Sequence, residues 1–149
     1  INCFQVLDQR RLIDLPGYGY AKVPEPMRLH WQRLLERYFH ERQSLKGLFM
    51  LMDIRHPLTE LDQQMLAWCA HRALPCHILL TKADKLNRGP AMNVLQQVKR
   101  TLTQRYPNSS IQLFSAVTGA GAEQAWAQLD QWLEIAAGQA RETIPSGTD

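Results

Sequence analysis

Three short polar clusters in this sequence could carry chemistry, and each of them follows an apolar run. The first is Asp14-Leu15-Pro16-Gly17, whose carboxylate could hold a Mg2+ ion through the ion's hydration shell. The glycine has no Cβ, so its backbone N–H could closely approach a terminal phosphate. Asp, Pro and Gly are also common turn residues, so a plain strand-to-loop turn remains an alternative here.

The second cluster, Thr81-Lys82-Ala83-Asp84, has the residues that could recognise a nucleotide base. A carboxylate here can accept hydrogen bonds from the N1–H and N2–H2 edge of guanine, whereas adenine has no matching pair of donors. Leaving such a carboxylate buried and unpaired would cost on the order of 1.5–3 kcal/mol. The lysine stem can lie over the base while its ammonium group stays near solvent. A solvated, charged loop is the alternative interpretation.

The third cluster, Phe114-Ser115-Ala116, precedes a glycine-containing turn. Small residues at this point would let a backbone N–H reach the O6 acceptor of guanine. The cluster carries little information alone, because small residues are common in loops. The three clusters together are more specific, since they occur in order after successive apolar runs.

The elements that must position these clusters follow from the hydrophobic periodicity. Strands are predicted at five segments, the first two forming a hairpin: 1–7, 11–14, 48–53, 76–81 and 111–115. Helices are predicted at four segments: 27–44, from 59 to a stop at Pro75, 91–106 and 122–133. Strands that alternate with helices imply an α/β fold, a three-layer sandwich around a mostly parallel sheet. Ligands bind beyond the carboxyl ends of the strands in such sheets.

Helical spacing also predicts which side chains face the core. Thr59 and Asp62 are expected to form a capping pair for the second helix. The apolar stripe of the first helix is predicted to contain Met27, Trp31, Leu34 and Tyr38. The stripe of the last helix is predicted to contain Ala122, Trp126, Leu129 and Leu133.

Composition excludes several classes of protein. The net charge of +3 is a mild basic bias, which leaves an anionic partner open without indicating one. The longest uncharged apolar run, residues 48–52, has five residues and cannot cross a membrane. Three scattered cysteines are too few for a disulfide framework, which favours a reducing cytosol.

The three clusters resemble the third, fourth and fifth signature motifs of GTP-binding proteins, and longer segments narrow the resemblance. Residues 12–21 (LIDLPGYGYA), 53–57 (DIRHP) and 80–86 (LTKADKL) are similar to segments of the bacterial EngB GTPases. The resemblance runs from residue 1 to about 133. It implies a P-loop GTPase (Ras-like) fold, GTP or GDP and Mg2+ as ligands, and a cytoplasmic location. It also implies GTP-dependent assistance in assembling the large ribosomal subunit, with defects in cell division and septation when the protein fails.

The resemblance assigns roles to individual residues. Asp14 would contact Mg2+ through water, and Gly17 would sense the terminal phosphate. Lys82 and Asp84 would recognise the base. The complete nucleotide-binding set that it implies is Asp14, Leu15, Pro16, Gly17, Thr81, Lys82, Ala83, Asp84, Phe114, Ser115 and Ala116. No catalytic residue is assigned, because Tyr18 stands where many small GTPases have a water-orienting Gln, and slow intrinsic hydrolysis is expected.

Two family features are missing from these 149 residues, the phosphate-binding loop G-x-x-x-x-G-K-[ST] and the first switch. Both are expected upstream of Ile1, together with the central strand of the sheet. The strands that contain Leu12-Ile13 and residues 48–52 should then lack the central strand that normally lies between them. The chain alone is expected to bind nucleotide poorly, and its status as an enzyme stays open. Residues 1–137 are interpreted as a partial GTP-binding domain and 138–149 as a flexible tail.

The basic outer side of the first helix suggests a partner. Its cationic residues are Arg28, His30, Arg33, Arg37, His40, Arg42 and Lys46. A solvated face explains them, and so does a contact with rRNA or a ribosomal protein of the large subunit. A monomer without membrane or DNA contacts is expected. Two other classes stay open: a non-catalytic pseudo-GTPase, and an RNA-binding module that uses no nucleotide.

Overall fold

A computed structural model describes residues 2–15 and 24–136 of the chain. Its strands form two sheets, an antiparallel hairpin and a parallel sheet of three strands in the order β3-β4-β5. The strands are β1 (Asn2–Leu7), β2 (Arg10–Asp14), β3 (Leu48–Asp53), β4 (Cys76–Thr81) and β5 (Ser109–Leu113). The helices are α1 (Glu25–Glu41), α2 (Glu60–His71), α3 (Arg88–Arg105) and α4 (Ala122–Leu133).

The two faces of the parallel sheet are covered by different helices, as the alternation of side chains along a strand requires. One face carries Met50, Met52, Ile78 and Leu80, which form the main core with buried residues of α1, α2 and α3. The opposite face carries Phe49, whose ring lies 5.0 Å from the ring of Trp132 in α4 and 5.5 Å from that of His77. The predicted three-layer α/β arrangement with a parallel sheet is therefore confirmed.

The start of α2 is fixed by the predicted capping pair. The Thr59 hydroxyl accepts a hydrogen bond from the backbone N–H of Asp62 at 3.2 Å, and the Asp62 carboxylate accepts one from the backbone N–H of Thr59 at 2.9 Å. Two of the N–H groups that a helix start leaves without a partner are satisfied in this way.

The prediction of the buried face of α1 is wrong, because a neighbouring face of the helix is the one that packs against the core. Met27 is 49% exposed and Leu34 39%, whereas Leu35 and Phe39 are each 3% exposed. The sequence contains a second apolar series at helical spacing, and contact with α2 selects it, because the Phe39 ring packs 6.5 Å from that of Trp68. The helix also ends at Glu41, earlier than the predicted end near residue 44.

The hairpin and the parallel sheet do not pair with each other in the described part of the chain. The outer edge of β3 therefore has no strand beside it there, as expected from the sequence, and Leu51 on this strand is 62% exposed. Trp126, predicted to face the core, is 49% exposed, so the prediction is wrong for this residue. The aromatic side chain through which α4 reaches β3 is Trp132, six residues further along the helix and on a different side of it. Among the described helices, none has both the length and the apolar character needed to cross a bilayer.

Candidate nucleotide-binding site

Two loops follow neighbouring strands at the carboxyl edge of the parallel sheet. The TKAD loop (residues 81–84) begins with the last residue of β4, and the FSA loop (residues 114–121) follows β5. A backbone hydrogen bond joins them, in which the Ala83 N–H donates to the Phe114 carbonyl at 3.1 Å. Lys82 has a left-handed backbone with φ of 58°, and a short 3-10 turn, Ala83–Lys85, comes directly after it. The structure thus brings together the second and third sequence-predicted clusters.

Asp84 and Ser115 make the direct side-chain contact between the two loops. The Ser115 hydroxyl donates to the Asp84 carboxylate at 2.6 Å and accepts from the Thr118 backbone N–H at 3.2 Å. Ser115 is 1% exposed, so its hydroxyl is held from both sides by fixed partners. The Ser115 hydrogen bond is the main reason that the pKa of Asp84 is lowered, and the carboxylate is therefore ionised at neutral pH. An ionised carboxylate at this edge offers acceptors only, which suits the two donors of guanine.

Lys82 is held by a carboxylate at the end of β3. The Asp53 carboxylate accepts from the Lys82 ammonium at 3.0 Å and from the Arg55 guanidinium at 3.0 and 2.7 Å. The Arg55 backbone N–H donates to the same carboxylate at 2.9 Å. Hydrogen bonding to Arg55 holds the pKa of Asp53 well below its usual range. The Lys82 ammonium is thereby paired with the end of β3, at the carboxyl edge of the sheet.

The first sequence-predicted cluster lies on the separate hairpin. Asp14 ends β2, is exposed, and accepts a hydrogen bond from the Asn2 amide at 3.3 Å. Leu15 packs against the main core. Pro16 and Gly17 lie outside the described residues, and so does the loop around Tyr18. Within the described ranges, no hydrogen bond joins Asp14 to the TKAD loop or to the FSA loop.

The fit of Mg2+ to this geometry depends on the carboxylates within reach. No group of three or more His, Cys, Asp or Glu side chains converges in the described part of the chain. A single exposed carboxylate, Asp14, fits an ion that keeps most of its water and takes only one or two protein carboxylates. Its role in holding Mg2+ through water stays a prediction.

Two side chains that contact the loops at this edge were not assigned from the sequence, Asp53 and Gln112. Asp53 stands at the end of an apolar strand run, and Asp14 and Thr81 occupy the same kind of position, so this placement was the available signal. Gln112 lies inside β5, where polar Ser110 and Gln112 share one face at a spacing of two. The parallel register sets His77 opposite Ser110, and this pairing cannot be read from one strand alone.

Curated relatives show what this chain is similar to. A search of protein-family models found no match. The chain is 52% identical over 136 residues to a protein of Methylococcus capsulatus named probable GTP-binding protein EngB, covering 91% of this chain and 65% of that protein. It is 49% identical over 134 residues to a protein of the same name from Hydrogenovibrio crunogenus, covering 90% of this chain and 63% of the relative. The chain thus spans slightly less than two thirds of the length of these relatives.

Solved structures agree on the fold. The apo form of translation elongation factor SelB from Methanococcus maripaludis superposes with a TM-score of 0.63 at 20% identity, covering 90% of this chain and 27% of that one. A crystal structure of a probable GTP-binding protein EngB superposes with a TM-score of 0.65 at 14% identity, covering 85% of this chain and 79% of that one. With about half of its residues identical over nine tenths of its length, the chain is homologous to part of the EngB GTP-binding proteins.

Proposed function

We propose that the protein containing this chain is a guanine-nucleotide-binding switch, in which the TKAD and FSA loops bind the base. The observation that carries this proposal is the Asp84 carboxylate, fixed by the buried Ser115 hydroxyl at 2.6 Å beside the tethered Lys82. Its two oxygens can accept from the N1–H and N2–H2 groups of guanine, and the Lys82 stem can cover the ring. The names of the curated relatives support the same ligand. GTP and GDP, with Mg2+ held through water by Asp14, are the proposed ligands.

Competition between nucleotides tests this proposal. The full-length protein that contains these residues would be titrated with a fluorescent GDP analogue, and the complex would then be competed with GTP or ATP. Because adenine cannot satisfy the carboxylate, GTP is expected to compete at least about 100-fold more effectively than ATP. Equal competition by the two nucleotides would contradict guanine recognition by these loops. Failure of every nucleotide to bind would favour the pseudo-GTPase alternative.

The proposed partner is the large ribosomal subunit, through rRNA or a ribosomal protein, and the proposed role is assistance in its assembly, on which normal cell division depends. The outer side of α1 supports an anionic partner with its exposed basic residues. Part of this charge is compensated within the helix, since Arg28 lies 3.8 Å from Glu25 and Arg37 lies 2.9 Å from Glu41. The remaining positive charge is modest, so salt-driven binding to phosphates through this helix alone would be weak.

Co-sedimentation with purified large ribosomal subunits tests the partner. The full-length protein is expected to pellet with the subunits in the presence of a non-hydrolysable GTP analogue, and about tenfold less with GDP, a difference of about 1.4 kcal/mol. Binding that is equal with and without nucleotide, and that falls steeply with salt, would instead favour the RNA-binding module. Small ribosomal subunits serve as the control particle.

A further inference from the structure

A chain of hydrogen bonds, centred on two buried side chains, runs from the parallel sheet to the end of the FSA loop. His77 in β4 is 3% exposed and Gln112 in β5 is 2% exposed. One ring nitrogen of His77, Nδ1, lies 2.6 Å from the Ser110 hydroxyl, and the other, Nε2, lies 2.8 Å from the Gln112 Oε1 atom. The Gln112 Nε2 group donates to the Gly121 carbonyl at 2.7 Å and to the Leu113 carbonyl at 3.1 Å.

The partners fix the direction of the hydrogen bonds that Gln112 makes. The Gln112 amide uses both of its hydrogens on backbone carbonyls, so its oxygen must face His77. His77 therefore carries a proton on Nε2, which donates to the Gln112 oxygen, and its Nδ1 is hydrogen-bonded to the Ser110 hydroxyl. No buried side-chain nitrogen or oxygen of the described residues is left without a partner. A satisfied network of this kind favours one conformation, because breaking a bond of the buried His77 or Gln112 side chain leaves a desolvated polar atom.

The network ends at the point where the FSA loop becomes α4. Gly121 precedes that helix with φ of 81°, and a Cβ placed on it would come within 2.1 Å of the Leu113 carbonyl oxygen. The end of the loop thus lies directly on the end of β5. The preceding residue, Ala120, accepts from the Ser115 backbone N–H at 3.0 Å. Ser115 in turn donates to Asp84, so the network reaches the base-binding carboxylate within a few bonds.

From this geometry we infer that Gln112 is a positioning residue for guanine binding. It does not touch the base. It holds the Gly121 end of the loop on the sheet, and this keeps the Ser115 hydroxyl in place to orient Asp84. Ser110 and His77 orient the Gln112 amide from the other side. The inference rests on the proposed guanine binding and adds to it a determinant within the sheet, behind the loop.

Replacing Gln112 with Met tests this role, since Met keeps the approximate volume and removes both donors and the acceptor. In the full-length protein, GDP is expected to bind Q112M about tenfold more weakly, mainly through faster release. The exposed Gln104 of α3 provides the matched control, and Q104M should bind GDP as the wild type does. Circular dichroism and thermal unfolding would establish that the variants are folded at the temperature of the titration.

A double-mutant cycle with S115A separates positioning from general loosening of the fold. If Gln112 acts through Ser115, adding Q112M to S115A should weaken GDP binding less than twofold further. Should Q112M not fold, the milder S110A, which removes the first donor of the network, is expected to give about threefold weaker binding. A folded Q112M with unchanged affinity and release rate would overturn the inference, and so would a full tenfold effect in the S115A background. Absence of GDP binding by the wild type would instead contradict the proposed function itself.

Discussion

Replacing Asp84 with Asn is expected to weaken binding of GTP and GDP to the full-length protein about 100-fold, equivalent to about 2.7 kcal/mol. The Asn carbonyl oxygen can still accept from the Ser115 hydroxyl, so the link between the two loops is preserved. Its NH2 group, however, would place a donor opposite the N2–H2 donors of guanine. The negative charge of the carboxylate, which strengthens the hydrogen bonds from N1–H and N2–H2, is also lost. Titration of a fluorescent GDP analogue by both proteins measures the effect.

Two further observations sharpen the Asp84 test. Xanthine carries a carbonyl oxygen where guanine carries the amino group, so D84N should bind xanthosine diphosphate better than the wild type does. The pKa of Asp84 is lowered in the folded chain, so the carboxylate stays ionised and wild-type affinity should be flat between about pH 6 and 8. Asp8 in the exposed hairpin turn supplies the same substitution as a control, and D8N should not change affinity. GTP binding by D84N within threefold of the wild type would contradict the assigned role.

Replacing Gly121 with Ala is expected to lower the free energy of unfolding by about 3 kcal/mol. The positive φ of 81° disfavours any L side chain. The added Cβ would also meet the Leu113 carbonyl oxygen at 2.1 Å and the Gln112 amide nitrogen at 2.7 Å. The Leu113 carbonyl belongs to the backbone at the end of β5, so the overlap can be relieved only if the loop moves. Urea unfolding followed by circular dichroism measures the loss.

Gly119 gives the matched control for this substitution, because its φ of 75° is nearly the same and nothing lies within 4 Å of the position that an added Cβ would take. G119A therefore introduces the backbone strain alone, and about 1 kcal/mol of destabilisation is expected. The difference between the two variants isolates the close approach of the loop to β5. Equal destabilisation of G119A and G121A would show that this approach contributes nothing to stability.

The adjacency of the TKAD and FSA loops could be predicted from sequence, because parallel strands bring their carboxyl ends to one edge. The start of α2 was equally predictable, since a capping box is a local pattern. The buried face of α1 was not, because two apolar stripes compete in its sequence and only contact with Trp68 selects the one with Phe39. Local information cannot rank two such stripes.

The contacts of Gln112 and Asp53, which hold the two loops of the candidate site, were harder to predict than the loops themselves. A glutamine within a strand is typical of a solvent-facing position, and Gln112 becomes interpretable only when the register sets Ser110 beside His77. Likewise, Asp53 belongs to a segment of family resemblance, but its bond to the Lys82 ammonium joins residues 29 positions apart. These contacts depend on the assembled sheet and not on any local pattern. The pattern of residue types locates the chemistry, while the packing of strands determines how rigidly it is held.

The open outer edge of β3 has a consequence for the behaviour of this chain in solution. In the described part of the chain this strand pairs only with β4, and its first five residues, Leu48 to Met52, carry no charge. Free N–H and C=O groups beside an uncharged apolar strand form a template for a second strand, including the same strand of another copy. Wherever this edge of β3 is left uncovered, edge-to-edge association at high concentration is the expected result, and a lysine in place of the exposed Leu51 is the substitution that would oppose it.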